Sequence, residues 1–322
     1  MPSPSRILCW ELPPECGLDE LQHRLAPAWA AVRDLLTELL ANAWCHEAGV
    51  LADVDPECLH HYRVNLRRAR ALVSQTGSVI GKHTARRLAD QLRAITQPTA
   101  ALRDLDVQLA NRAWYESLVP ADQVPQLAGF MADLEHRRRR ALRALRRHLR
   151  SRTHQQHREN VAELLAGITA RQRPQPLAKL LATCVRRRFR RLAKHVRQLG
   201  DQPTDTSLHR LRIDAKKLRY PFESALGILP AELIANWVPE LKHVQDALGS
   251  AHDLVICLGW VNGHIATVAT AGEPEPTAAL ELLAAALRDQ LGTARETARQ
   301  QVGDFVAQHN DDELRIAGKG KP

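Results

Sequence analysis

The chain has 322 residues, enough for one large or two ordinary domains with real cores. Lysine and arginine total 45 against 36 aspartates and glutamates, and the net charge of +9 favours an anionic partner without identifying it. The cysteines at 9, 16, 45, 58, 184 and 257 form no CxxC pair, which argues against a zinc ribbon or a disulfide scaffold and predicts reduced thiols.

Helical periodicity dominates from the start, with Ala, Leu, Arg, Gln and Glu in place of alternating β-branched runs. The N-terminal "MPSPSRILCWELPPE" has no charged region followed by a long apolar stretch, so no secretory signal is expected. Helices are predicted over 18–47, 56–76, 82–96, 98–118, 121–151 and 155–170, with Pro27 marking a kink or a late start. "DVDPE", "TQPT" and "VPADQVP" supply the breaks. After "ARQRPQPLA", further helices are predicted over 175–199, 205–227, 230–249, 251–271 and 276–308, followed by a tail. No uninterrupted run of about 18 apolar residues is evident, so a membrane span is not expected and a cytoplasmic location is. The fold class is all-α.

The prolines near 174 divide the chain into similar halves, and the halves repeat. "HHYRVNLRRAR" at 60–70 is answered by "HRLRIDAKKLR" at 209–219. His60, Arg63, Arg67, Arg68 and Arg70 align with His209, Arg212, Lys216, Lys217 and Arg219. Downstream, "LRDLDV" faces "SAHDLV", which sets Asp106 opposite Asp253 and leaves Ser250 and Ala251 where the first half has Arg103 and Asp104. On a helix, positions i, i+3, i+7 and i+10 fall within an arc of roughly 80°. His60, Arg63, Arg67 and Arg70 therefore share one stripe, and His209, Arg212, Lys216 and Arg219 another. Leu59, Leu66, Ala69 and Val73 lie on the other side, as do Leu208, Leu211, Leu218 and Phe222, so each helix has an apolar face for packing and a basic face to spare. Like charges along one stripe repel, and a function that neutralises them explains their presence. Two more basic stripes run through Arg139, Arg143, Arg146 and Arg150, and through Arg187, Arg190, Arg191 and Lys194.

These motifs, with "LRDLDV" and "LKHVQDALGSAHDLV", resemble the CHAD family, the conserved histidine α-helical domain. The resemblance covers about residues 18–308, read as one repeat over 18–170 and a second over 175–308, with tails at 1–17 and 309–322. It implies two helical bundles related by a pseudo-two-fold axis around a basic central cavity. It also implies binding of inorganic polyphosphate and association with polyphosphate granules in bacteria. The implied binding residues are the ten aligned motif residues, with Arg103, Arg139, Arg143, Arg146, Arg187, Arg190, Arg191 and Lys194 as a secondary lining. Many relatives carry a CYTH triphosphate-tunnel domain; no E-x-E-x-K motif occurs here, so its metal-dependent chemistry is not expected.

A polyphosphate track needs cations in series and few stacking platforms. The sequence has 13 aromatics, of which only Tyr62, Tyr220 and Phe222 fall in or beside the motifs, whereas single-strand binders pair basic grooves with exposed rings. Nucleic acid is thus a lesser alternative, and an adaptor docking on an acidic protein is another. No P-loop, G-x-S-x-G or H-E-x-x-H is present, so neither an enzyme nor a cofactor is expected. Asp104, Asp106 and Asp253 either hold a metal with phosphate oxygens or orient arginines.

Overall fold

The computed structural model describes residues 27–169, 177–223, 231–271 and 277–310, and these form helices joined by short turns, without a strand. The first half contains α1 (Ala28–Ala52), α2 (Pro56–Ile80), α3 (Lys82–Thr96), a 3-10 turn at Gln97–Thr99, α4 (Ala100–Ala110) and α5 (Arg112–Ser117). A second 3-10 turn at Val124–Leu127 leads into α6 (Ala128–Leu149) and α7 (Arg152–Ala166). The second half contains α8 (Leu177–Arg197), α9 (Asp205–Glu223), α10 (Ala231–Ala271) and α11 (Thr277–Gln308). Of the tails expected at 1–17 and 309–322, all but residues 309 and 310 lie outside the described residues.

Local chemistry places the motif helix α2. Asp53 takes a left-handed conformation (φ 60) to end α1, and the Asp55 carboxylate accepts from the Glu57 amide at 2.8 Å to start α2, with Pro56 in the first turn. Gly81, at φ 94, lets α2 turn directly into α3. Gly49 brings α1 against α2 so closely that a Cβ there would sit 2.5 Å from Cys58 Sγ. Pro27, in an extended conformation, precedes the first turn of α1, and residues 18–26 of the expected first helix lie outside the described residues.

The two motif helices start 149 residues apart, at Pro56 and Asp205, the same interval that separates His60 from His209. One difference stands out. The region expected as two helices, 230–249 and 251–271, is the single 41-residue α10. Its counterpart in the first half is broken at Gln97–Thr99, where Pro98 removes a backbone donor; Ala247 stands at the equivalent place in α10 and the helix continues. The uninterrupted α10 is also long and apolar enough to cross a membrane by length and composition, contrary to the sequence expectation. Its Trp237, Leu241, Val244 and Leu248 are nevertheless packed in one hydrophobic cluster and its Leu254, Cys257 and Val261 in another.

These two clusters cut across the sequence halves. The larger joins Leu66, Leu72 and Leu92 to Leu211, Leu218, Phe222 and Trp237; the smaller joins Tyr115, Phe130 and Leu134 to Val261, Leu283 and Leu287. The halves therefore share their apolar cores, and α2 packs directly against α9. One buried charge network ties the first half together: Arg138 donates to Asp53 at 2.6 Å and to Asp106 at 2.7 Å, with the Asp106 side chain 1% exposed.

Candidate functional site

The packing of α2 against α9 brings the two basic stripes together. Leu59, Leu66, Ala69 and Val73 are buried on α2, and Leu208, Leu211, Leu218 and Phe222 on α9, which turns the cationic faces toward each other's edge. Arg67 lies beside Lys216 and Arg219, with the Tyr220 hydroxyl in hydrogen-bonding reach. Arg70 lies near Arg93 and Tyr220, and the Arg219 guanidinium is 6.0 Å from the Tyr220 ring centre. Arg63 donates to the Thr96 carbonyl at 3.5 Å and to the Thr99 hydroxyl. Among the described residues, no carboxylate comes within ion-pair distance of Arg63, Arg67, Arg70, Arg212, Lys216 or Lys217. The Nε atoms of Arg63 and Arg212 are buried without a hydrogen-bond partner.

This crowding has electrostatic consequences. Burial, then Arg212, Arg67 and Arg219, push the Lys216 ammonium down to about 7, with Asp253 opposing. Burial, then Arg103, Arg67, His61 and Arg63, push His60 down to about 3, so it is neutral at physiological pH. Burial and Arg67 hold Arg63 down to about 10. At neutral pH the site therefore presents fixed guanidinium charges around one lysine poised between its two states.

The interval of 149 residues corrects the sequence alignment of the acidic residues. It sets Asp253 opposite Asp104 rather than Asp106, and His252 opposite Arg103. The surroundings agree: Asp104 is coupled to Arg63 and Asp253 to Arg212, the aligned arginines of the two motifs. Asp106 is instead absorbed by the Arg138 network. The second half is thus not depleted at this turn, since His252 and Asp253 replace Arg103 and Asp104. His252 is the residue that sequence reasoning missed. Its ring centre is 5.1 Å from that of exposed His209, and burial followed by Arg212 push it down to about 4. Asp205, Thr206, Leu208, His209, Ala251, His252 and Val255 line a cleft of about 280 Å³ there. No group of three or more His, Cys, Asp or Glu residues among the described residues is arranged to hold a metal.

The secondary basic residues divide. Arg103 joins the site beside His60 and also pairs with Glu57 at 3.4 Å. Arg191 lies 3.2 Å from Asp214, and Arg187, Arg190 and Lys194 are exposed on the same helix, α8. Arg139 is exposed 3.9 Å from Glu135, and Arg143 is exposed. Arg146 departs from its expected role: it donates to the Leu51 carbonyl at 2.7 Å and serves the end of α1. Half-buried Arg68 lies on α2 where Lys217 lies on α9. Of the three motif aromatics, Tyr62 and Phe222 are buried, leaving Tyr220 at the site.

The CHAD domain family profile matches residues 34–262. The chain belongs to the CHAD family. Two curated relatives from Mycobacterium tuberculosis, "Uncharacterized protein MT2285" of strain CDC 1551 and "Uncharacterized protein Rv2226" of strain H37Rv, are each 28% identical over 256 residues. The match covers 77% of this chain but only 47% of theirs, so the chain spans about half the length of these relatives. Among solved structures, the CHAD domain from the plant Ricinus communis superposes with a TM-score of 0.68 at 21% identity, over 88% of this chain and 93% of that one. PptA from Streptomyces chartreusis gives 0.64 at 18% identity, over 86% and 99% respectively. These likenesses carry the CHAD helical fold, and the family is associated in general with polyphosphate binding.

Proposed function

We propose that this chain binds inorganic polyphosphate along the paired stripes of α2 and α9, acting as a binder rather than an enzyme, in the cytoplasm and on polyphosphate granules. The supporting observation is the approach of Arg67 to Lys216 and Arg219 from opposite halves of the chain, with no carboxylate at ion-pair distance from Arg67 or Lys216 among the described residues. An isolated protein gains nothing from placing these cations together; a polyanion that crosses from one stripe to the other repays the repulsion. Arginine suits this task because its planar fork grips phosphate oxygens in pairs and keeps its charge. Among the described motif residues Tyr220 is the one Phe, Tyr or Trp ring left at the site, which offers no row of such rings on which bases stack and favours a phosphate chain over a single-stranded nucleic acid.

The test is a titration with long-chain polyphosphate, tripolyphosphate and duplex DNA at matched phosphate concentration and ionic strength. Tighter binding of long-chain polyphosphate than of DNA supports the proposal. Equal or tighter binding of DNA overturns it in favour of a nucleic-acid reader, and binding of none of the three leaves the adaptor reading.

A further inference from the structure

The interval that orders the fold also reveals where the halves differ. α8 stands in the second half where α1 stands in the first. Their core sides match position by position: Leu181, Val185, Phe189 and Leu192 are buried where Val32, Leu36, Leu40 and Ala43 are buried. The outer sides do not match. Arg187, Arg188, Arg191 and Lys194 occupy the places of Glu38, Leu39, Asn42 and Cys45. The same helix is therefore packed in α1 without these cations, and the fold does not require them in α8.

Arg187, Arg191 and Lys194 fall within an arc of about 60° at 100° per residue, and Arg188 lies about 60° beyond its edge. The first three are exposed, and Arg188 is half-buried. Arg188 and Arg191 close on Lys217 of α9, the immediate neighbour of the central Lys216. Burial, then these arginines, hold the Lys217 ammonium below its usual range. Asp214 offers limited relief: 3% exposed, it is shared between Arg191 at 3.2 Å and His195. The Nε of Arg188 is buried without a hydrogen-bond partner.

We infer that the outer face of α8 is a second phosphate track, continuous with the central stripes across Lys217, and that it holds the overhang of a long polyphosphate chain. The inference rests on the polyphosphate reading of the central site and adds to it a length-dependent contact. A helix with its side chains is about 10–12 Å across, so a short oligophosphate held by Lys216 does not reach around α9 to α8, whereas a long chain does. Once the centre has captured a chain, its tail is presented to α8 at high effective concentration. Among the described residues of α8, the Phe189 ring is buried and the His195 imidazole is held by Asp214, which again suits a bare phosphate chain.

The test compares wild type, Arg187→Gln/Arg191→Gln/Lys194→Gln, and the central control Arg67→Gln/Lys216→Gln in titrations with tripolyphosphate and long-chain polyphosphate. The triple variant is expected to lose about tenfold for the long chain with unchanged tripolyphosphate affinity, because three screened contacts are removed from the overhang alone. The central control is expected to lose both. Unchanged long-chain affinity in the triple variant, or equal loss for both ligands, overturns the second track while leaving the central site standing. Failure of wild type to bind either ligand instead defeats the central reading, and α8 with it. Should thermal melting show the triple variant to be unfolded, Arg187→Gln/Lys194→Gln, which leaves the Asp214 bridge intact, decides by the same comparison.

Discussion

Replacing Lys216 with arginine should abolish most of the pH dependence of polyphosphate binding. Lys216 faces Arg212 and Arg219 on its own helix, Arg67 from α2 and Asp253 from α10, and burial with these cations brings it down to about 7. A bound polyanion reverses the local field and holds the ammonium charged. The complex then carries more protons than the free protein, so linkage tightens binding as pH falls. For one group titrating near 7 in the free protein and staying protonated in the complex, affinity at pH 8 should be about tenfold weaker than at pH 6. Arginine keeps its charge across this range, so Lys216→Arg should flatten the profile. Calorimetric titration in two buffers of different ionisation enthalpy reads the proton uptake directly, alongside the affinity at each pH. An identical slope and proton uptake in wild type and Lys216→Arg would refute the reasoning.

His60 should stay neutral from pH 5 to 8, observed as an unmoving imidazole resonance, and His60→Gln should leave the binding profile unchanged, because burial and four neighbouring cationic or imidazole groups place it at about 3. Arg67→Ala should cost only about 1 kcal/mol of binding, whereas charge reversal at Arg63, Arg67, Arg212 and Lys216 together should eliminate it; one alanine that eliminates binding would point to a single discrete site. Affinity should fall steeply and linearly on logarithmic axes with added salt, as counterions are released. Arg138→Met should lower folding stability by about 3–5 kcal/mol in denaturant titration, since it strands Asp106, 1% exposed, without its 2.7 Å partner. Trp237→Ala should cost a similar amount, about 3–5 kcal/mol, by emptying a site between Phe189, Phe222 and Phe305.

What the sequence determined by itself was the all-α class, the two motif helices, and the sidedness of each. Those features depend on local rules: helical periodicity, an Asp-Pro start, and the phase of apolar against basic residues along one helix. Residues such as Leu66 and Arg67 are adjacent, and their opposite fates follow from 100° of rotation. The tertiary structure decided which charges meet. Arg146 and Arg138 look like their exposed neighbours in an arginine run, yet one caps α1 through the Leu51 carbonyl 95 residues away and the other binds Asp53 and Asp106, 85 and 32 residues away in the chain. His252 carried no signal of its own; a shift of two residues in the alignment of the halves hid its equivalence to Arg103, and the matching surroundings of Asp104 beside Arg63 and Asp253 beside Arg212 corrected it. Burial and Arg212 on its own helix depress Lys216 first, but Arg67, 149 residues distant, adds to them, and no helical pattern within either half contains that distance. Local sequence sets the face a side chain occupies, while the charge it finally carries depends on what the folded chain packs opposite that face.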